Sequence, residues 1–106
     1  MIVDEYLDDE GDSPFGKWFG GLEASAAARV TVSLVRIGEG NLANAKRLGG
    51  GLFENRIDVG PGYRIYFGRD GDALIILFAG GTKRRQQRDI EDAKDRWADY
   101  KRRKKG

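Results

Sequence analysis

Cationic and phenolic side chains are the residues in this sequence best suited to chemistry. Arg56, Arg64 and Tyr66 lie in one stretch of alternating apolar and polar residues, and the consecutive cations Lys83-Arg84-Arg85 follow a second apolar stretch. Arg binds phosphate through two parallel hydrogen bonds and stabilises charge that develops on a transferring phosphoryl group. In RNA the 2′-hydroxyl is a built-in nucleophile, so positioning, charge stabilisation and proton transfer suffice. The pattern therefore predicts a phosphodiester site, in which neighbouring cations could lower the pKa of a Lys or Tyr.

Composition narrows this chemistry. The 106-residue chain contains no His and no Cys, which excludes thiol catalysis and disulfides and removes the commonest general base and metal ligand. We expect neither a metal nor a cofactor. The length predicts one domain, over residues 1–106. No apolar run approaches the roughly 20 residues of a membrane span, and the acidic amino terminus does not resemble a signal peptide, so the expected location is cytoplasmic, with no membrane partner.

Charge is distributed unevenly along the chain. Residues 1–12 carry six acidic side chains and no Lys or Arg, whereas from Lys83 onward there are eleven basic residues and five acidic ones. A basic carboxy-terminal third is typical of a protein with a nucleic-acid partner. A solvated helix with a soluble tail fits the same composition. We interpret residues 1–12 as an acidic segment and residues 101–106 as a basic tail, both candidates for disorder.

Three consecutive strands must position the cations. Alternation and turn residues predict strands over 51–59, 63–67 and 73–79, joined at Gly60-Pro61-Gly62 and Asp70-Gly71. A three-residue first loop places Arg56 opposite Tyr66 and Asp58 opposite Arg64, and a two-residue second loop places Phe67 opposite Leu74 and Ile65 opposite Ile76. One face is then apolar, and the other is open and carries the cations.

Helices surround this predicted sheet, which gives an α+β fold class. Ser13-Pro14 starts a helix, Glu23–Ile37 forms a second, and the two form an N-terminal helix pair packed on a small, mostly antiparallel sheet. Residues 41–51, with Lys46 and Arg47, are predicted as a loop. Thr82 caps a carboxy-terminal helix over 83–102, whose first turn combines three cations with unpaired backbone N–H groups as an anion site. The predicted buried stripe of this helix is Ile90, Ala93, Trp97 and Tyr100.

Several blocks of the sequence resemble the RelE/ParE toxin superfamily, and within it the HigB-like addiction-module killer proteins. The resemblance covers nearly all of the chain after residue 12, and the block from Gly60 to Phe67 is its most specific part. The other blocks are Phe15-x-x-Trp18-Phe19, Gly38-x-Gly40-Asn41, Glu54-Asn55-Arg56-Ile57, Gly80-Gly81-x-Lys83 and Gln86-Gln87-x-Asp89-Ile90.

The resemblance implies the toxin of a type II toxin–antitoxin system. Such a protein is a compact α+β domain that inhibits translation by cleaving mRNA, often on the ribosome, without a metal. Its expected partners are a cognate antitoxin, mRNA and the ribosome, and operator DNA only through the antitoxin complex. The ParE branch shares the fold and poisons DNA gyrase by binding, so gyrase inhibition stays open, as does a nucleic-acid-binding module without catalysis.

Roles for individual residues follow from the resemblance. Arg64 corresponds to the Arg that contacts the scissile phosphate, Lys83 or Arg84 to the cation after the last strand, and Arg56 to a basic position that orients RNA. Ile90 stands where RelE carries a catalytic Tyr, so Tyr63 or Tyr66 would have to take that role, and Tyr66 is the expected proton donor or acceptor. The expected RNA- and phosphate-binding residues are Arg84, Arg85, Tyr63, Lys46 and Arg47.

Overall fold

A five-stranded mixed sheet forms the centre of the protein, seen in a computed structural model that describes residues 1–105. The strand order is β1-β5-β4-β3-β2; β1 runs parallel to β5, and the other neighbours are antiparallel. Gly106, the end of the predicted basic tail, lies outside the described residues. The strands are β1 (Ile2–Glu5), β2 (Ala45–Gly49), β3 (Leu52–Ile57), β4 (Tyr63–Asp70) and β5 (Leu74–Thr82).

Three α-helices pack on this sheet: α1 (Pro14–Gly20), α2 (Ala24–Gly38) and α3 (Gln86–Lys105). Ser13 caps α1 as predicted, because its hydroxyl accepts a hydrogen bond from the Gly16 backbone N–H at 2.9 Å. A 3₁₀ turn at Lys83–Arg85 precedes α3, which then runs through residues 101–105 of the predicted tail. The α+β fold class and the two sets of packing helices are confirmed.

Both faces of the sheet are buried, each by a different helix layer. On one face, Phe15 of α1 and Val30 and Ile37 of α2 pack against Ile65, Phe67, Ile75 and Leu77. On the other, Ala93 and Trp97 of α3 pack against Leu52, Tyr66, Ile76 and Phe78, with Ile90 and Tyr100 at the margin. The predicted stripe of the last helix is therefore confirmed. The prediction of one apolar and one open face is wrong, because α3 covers the second face.

The first hairpin has a longer loop than predicted. Pairing ends at Ile57 opposite Tyr63, so residues 58–62 form the loop, with Gly60 and Gly62 at φ 54° and 75°. These left-handed conformations suit glycine because it has no Cβ. The register that results places Arg56 opposite Arg64 and Glu54 opposite Tyr66. Asp58 makes no salt bridge with Arg64 among residues 1–105.

The second hairpin departs from the prediction at two points. Asp70 pairs with Leu74 across a three-residue loop, where two residues were predicted. A β-bulge then follows, since Phe67 pairs with Leu77 but Tyr66 pairs with Ala79, which leaves Phe78 as an extra residue. The bulge places the consecutive residues Phe78 and Ala79 on the same face of the sheet, toward α3. Together with the longer loop, the bulge places Ile65 opposite Gly80 and not Ile76.

The predicted loop over 41–51 contains a strand. β2 pairs with β3, with Lys46 opposite Glu54 and Arg47 opposite Phe53. Because β2 is an edge strand whose two cations are exposed, it lacks the apolar alternation by which strands are recognised. β2 is a strand because it pairs with β3, and the sequence of β2 alone does not predict this pairing.

Candidate functional site

A buried carboxylate, Glu54, lies where the predicted site residues meet. Glu54 on β3 is fully buried, and its cross-strand neighbour on β4 is Tyr66, while Arg56 and Arg64 form the next pair along the same two strands. Side chains two residues apart on a strand share a face, so all four project toward α3. The Nε atoms of Arg56 and Arg64 lie 3.6 and 3.9 Å from the Glu54 carboxylate oxygens.

The first turn of α3 closes this arrangement. The Gln86 side-chain amide donates to both Glu54 oxygens, at 2.9 and 3.2 Å. Arg64 Nη1 donates to the Gly62 carbonyl at 2.7 Å, and the Lys83 backbone N–H donates to the same carbonyl at 2.9 Å. We call Glu54, Arg56, Arg64, Tyr66 and Gln86 the Glu54 cluster. Through Gly62, the loop between β3 and β4 ties the cluster to the 3₁₀ turn.

Burial divides the predicted catalytic residues into two pairs. Arg64 is 5% exposed and Tyr66 is fully buried, whereas the Arg56 side chain is 48% exposed and Lys83 is also exposed. The expectation that Arg64 and Tyr66 lie on an open face is therefore wrong, because Gln86 and α3 cover them. Arg56 and Lys83 are the members of the predicted set that an external phosphate can reach without movement of the chain.

Tyr66 does not have the lowered pKa predicted for a cation-rich site. Its hydroxyl is buried and makes no hydrogen bond with residues 1–105. Burial, followed by the negative charge of Glu54, raises the pKa of Tyr66 well above its ordinary value, and the Arg64 guanidinium offsets this only in part. The prediction failed because it counted the cations near Tyr66 and left out the directly opposed carboxylate.

The remaining predicted contact residues lie in different places. Lys46 lies opposite Glu54, on the face of the cluster, whereas Arg47 lies opposite Phe53, on the face of α1 and α2. Tyr63 is also on that second face, with its ring edge-on to Trp18 at 6.4 Å between centroids. The structure therefore brings Lys46 to the cluster and separates Arg47 and Tyr63 from it.

The cations after β5 lie in a 3₁₀ turn and not in the first turn of an α-helix. Lys83, Arg84 and Arg85 are exposed and make no salt bridge with residues 1–105. The Thr82 side chain donates or accepts no capping hydrogen bond, so its predicted role as a cap is wrong. Arg85 lines a cleft of about 430 Å³ beside Trp18, away from Arg56. The three cations therefore do not act at one point.

Asp89 is a second carboxylate, partly buried, that the sequence did not single out. It lies over Gly81, the cross-strand neighbour of Arg64, so closely that a Cβ at Gly81 would overlap its carboxylate. Burial raises the pKa of Asp89, and Arg85 opposes that change. Glu54 and Asp89 were missed because carboxylates are poor phosphate ligands. The available signals were the Glu54-x-Arg56 spacing on one strand face and the absence of a side chain at Gly81.

Comparison with known proteins identifies a related protein but no matching family model. No protein-family model matches the chain. An uncharacterized protein of Haemophilus influenzae is 38% identical over 81 residues, which span 76% of this chain and 82% of that protein. The chain belongs to the same family as this Haemophilus protein. The description of the Haemophilus protein names no activity.

Two further observations concern ligands and membranes. In residues 1–105 no group of three or more acidic side chains is arranged to hold a metal ion. Within the same residues, no helix combines the length and the apolar character that crossing a bilayer requires.

Proposed function

We propose that this protein is a RelE/ParE-type toxin of a type II toxin–antitoxin system, acting as a metal-independent endoribonuclease on mRNA in the cytoplasm. One observation carries the proposal: four of the sequence blocks that resemble the superfamily meet at the Glu54 cluster. They are the blocks around Glu54-Arg56, Gly60–Phe67, Gly80–Lys83 and Gln86, and they come from β3, β4, β5 and the start of α3.

The geometry supports a division of work within the cluster. Arg56 and Lys83, which are exposed, contact the phosphates of the RNA strand. Glu54 holds the two guanidiniums near it by charge, because its carboxylate oxygens lie 3.6 and 3.9 Å from their Nε atoms in a buried setting. Arg64, whose Nη1 is held by Gly62, supplies a fixed positive charge behind the phosphate. A charge held in a water-poor setting stabilises a developing anion more strongly than one in bulk water.

RNA cleavage predicts a specific cellular outcome. Expression of the chain without an antitoxin should stop growth and produce new mRNA 5′ ends, which end-mapping detects. The double variant Arg56→Ala/Lys83→Ala should relieve both effects. Lys94→Ala is the matched control, since Lys94 is an exposed cation of α3 that makes no salt bridge with residues 1–105. Growth arrest with intact transcripts would rule out the nuclease.

Toxicity by binding is the second candidate, and the burial of the proton-transfer groups favours it. Tyr66 and Glu54 are fully buried, and the raised pKa of Tyr66 makes it a poor base. A general acid or base must come within hydrogen-bonding distance of its substrate. A ParE-like inhibitor would block gyrase supercoiling and leave RNA intact, so a supercoiling assay on the purified chain separates the two. A binding module without catalysis would show salt-dependent nucleic-acid affinity and no toxicity.

The proposed partner that restrains the toxin is a cognate antitoxin. We propose that it covers the exposed cations of the cluster and that operator DNA is bound only through the toxin–antitoxin complex. An antitoxin with an acidic or amphipathic segment would complement Arg56 and Lys83. Co-expression with the protein encoded beside this chain should restore growth, and the two should purify together.

A further inference from the structure

A second cationic cleft lies beside the Glu54 cluster, at the ends of α2 and β3. It has a volume of about 520 Å³, and its walls come from α2, from β2 with the residues before it, and from β3 with the residue after it. Three exposed cations from three different elements line it: Arg36 in the last turn of α2, Lys46 on β2 and Arg56 on β3. We call it the α2–β2 cleft.

Most of the positive charge in this cleft is not neutralised. Arg36 and Lys46 make no salt bridge with residues 1–105, and within the same residues Arg56 makes a salt bridge only with Glu54, at 3.6 Å. Asp58 is the one acidic side chain among the lining residues. Unpaired cations that converge on a concave surface concentrate a positive potential there. The ligand chemistry that such a cleft favours is an anion.

Backbone hydrogen bonds hold the cleft in shape. The Asn41 N–H donates to the Arg36 carbonyl at 2.9 Å, so the chain turns back sharply after α2. The Arg56 N–H then donates to the Asn44 carbonyl at 3.2 Å, which fixes the segment before β2 against β3. The three cationic residues therefore project from a tied backbone, and the cleft does not depend on a free loop.

Arg56 belongs to both the cleft and the Glu54 cluster. It is the cross-strand neighbour of Arg64 in the cluster, and it also lines the α2–β2 cleft. The two cationic surfaces are therefore continuous across the end of β3. A polyanion that lies on Arg56 can extend toward Lys83 in one direction and toward Arg36 in the other. A free phosphate would need only one end of this surface.

We propose that the α2–β2 cleft binds the phosphate backbone of a single-stranded RNA, next to the segment held at the Glu54 cluster. This inference rests on the proposed RNA-directed function and adds the path of the strand. It assigns Arg36, a residue of α2 that belongs to none of the predicted contacts, to RNA binding. Asp58 opposes the RNA phosphates within the same cleft.

The salt dependence of RNA binding tests whether the RNA strand runs through the α2–β2 cleft. The probe is a fluorescent single-stranded RNA with 2′-O-methyl groups, which cannot be cleaved by attack of its own 2′-hydroxyl. Each lost phosphate contact should reduce the slope of log K against log salt concentration by about 0.7. The variant Arg36→Ala/Lys46→Ala should therefore lose about 1.4 from the slope and bind about tenfold more weakly at low salt. Arg36→Lys should keep the wild-type slope, and Lys94→Ala is the control.

A variant that binds RNA more tightly than the parent shows that changes in affinity do not come from misfolding. Asp58→Asn removes the acidic residue of the cleft and should strengthen RNA binding, which an unfolded protein would not do. Wild-type affinity and slope in Arg36→Ala/Lys46→Ala would overturn the path and leave the proposed function standing. Absence of RNA binding by the wild-type chain would overturn both. Inorganic phosphate that binds the cleft and is not displaced by the RNA probe would show a small-anion site and refute the path.

Discussion

Replacing Glu54 by Gln should destabilise the protein strongly, because it leaves a buried positive charge without a partner. Glu54 is fully buried and Arg64 is 5% exposed, and Gln has nearly the shape of Glu. The substitution thus removes the charge with little change in volume. Gln86 can still hydrogen-bond to the new amide, so the lost term is mainly electrostatic.

The magnitude follows from the separations of the charges. At 3.9 Å, two unit charges interact by roughly 4 kcal/mol at an effective dielectric constant of about 20. Breaking one side of a buried ion pair usually costs about 3–5 kcal/mol. The hydrogen bond from Arg64 to Gly62 persists, so we expect a loss of about 3 kcal/mol in the free energy of unfolding. Arg56 is half exposed, and Arg56→Gln should cost less than about 1 kcal/mol.

Urea denaturation at neutral pH measures both effects. With a slope on the order of 1.5 kcal/mol per M, the loss in Glu54→Gln lowers the midpoint by about 2 M. A second arm replaces Arg64 by Gln in the Glu54→Gln background. Since that change removes the unpaired charge, the double variant should be more stable than the sum of the two single losses by at least about 1 kcal/mol.

Two results would refute this reasoning. A loss below about 1 kcal/mol in Glu54→Gln would mean that the cluster is solvated in solution and is not held by its ions. Additive losses in the double variant would mean that Glu54 and Arg64 do not interact energetically. Either result would also remove the positioning role that we propose for Glu54.

Two further predictions concern packing and pH. Gly80→Ala should lower the free energy of unfolding by about 1–3 kcal/mol, because the added Cβ would overlap the Trp18 indole ring. Gly20→Ala is the control, and it should be neutral or stabilising because the space around Gly20 is open. Thermal melts of the two variants check this contrast. The Lys104 ammonium, 2.7 Å from the Asp70 carboxylate, lowers the pKa of Asp70 below its ordinary value of 3.8. Asp70 therefore stabilises the fold at pH values above 3.8, and this contribution is lost as the pH falls through the lowered pKa. Asp70→Asn should therefore destabilise at neutral pH and converge with the parent in acid, and urea midpoints across a pH series that stayed equally separated would contradict this.

Local sequence patterns were sufficient for the helices and for the fold class. The Ser13-Pro14 start and the stripe through Ala93 and Trp97 depend on residues a few positions apart, and both are present in the structure. The strand β2 could not be predicted in this way. It has the composition of an exposed loop, and only its pairing with β3 makes it a strand.

Strand register failed for a different reason. The loop between β4 and β5 starts one residue later and is one residue longer than predicted, which shifts the register of β5 by three positions. This odd shift places Ile75 and Leu77, and not Leu74 and Ile76, toward α1 and α2, and the bulge at Phe78 adds one more position from Ala79 onward. Nothing in the alternation of Leu74 to Ala79 marks the bulge, because residues 75–79 are all buried on one side or the other. The loop at 58–62 shifted the pairing by two positions, which changed the partners of Arg56 and Arg64 and left their face unchanged.

The sequence predicted which residues form the candidate site, but it did not predict which of them are exposed to solvent. Arg56, Arg64, Tyr66 and Lys83 do meet near one end of the sheet, but Gln86, 32 residues from Glu54, decides which of them are covered. Counting charges along the sequence does not predict that the start of α3 covers the cluster through Gln86. It also treated Tyr66 as a neighbour of cations, whereas its directly opposed residue is an anion.

This difference in exposure determines how mutations at the site can be interpreted. Replacement of Arg64 removes a buried charge and leaves Glu54 unpaired, so loss of toxicity in such a variant would follow from misfolding as readily as from a missing phosphate contact. Replacement of Arg56 or Lys83 changes an exposed charge at little cost in stability. Activity lost at these two positions, in chains that melt like the parent, would therefore assign phosphate contact to the surface of the cluster. Retained activity there, with loss only at Arg64 and Glu54, would assign the cluster a structural role and move the function elsewhere on the molecule.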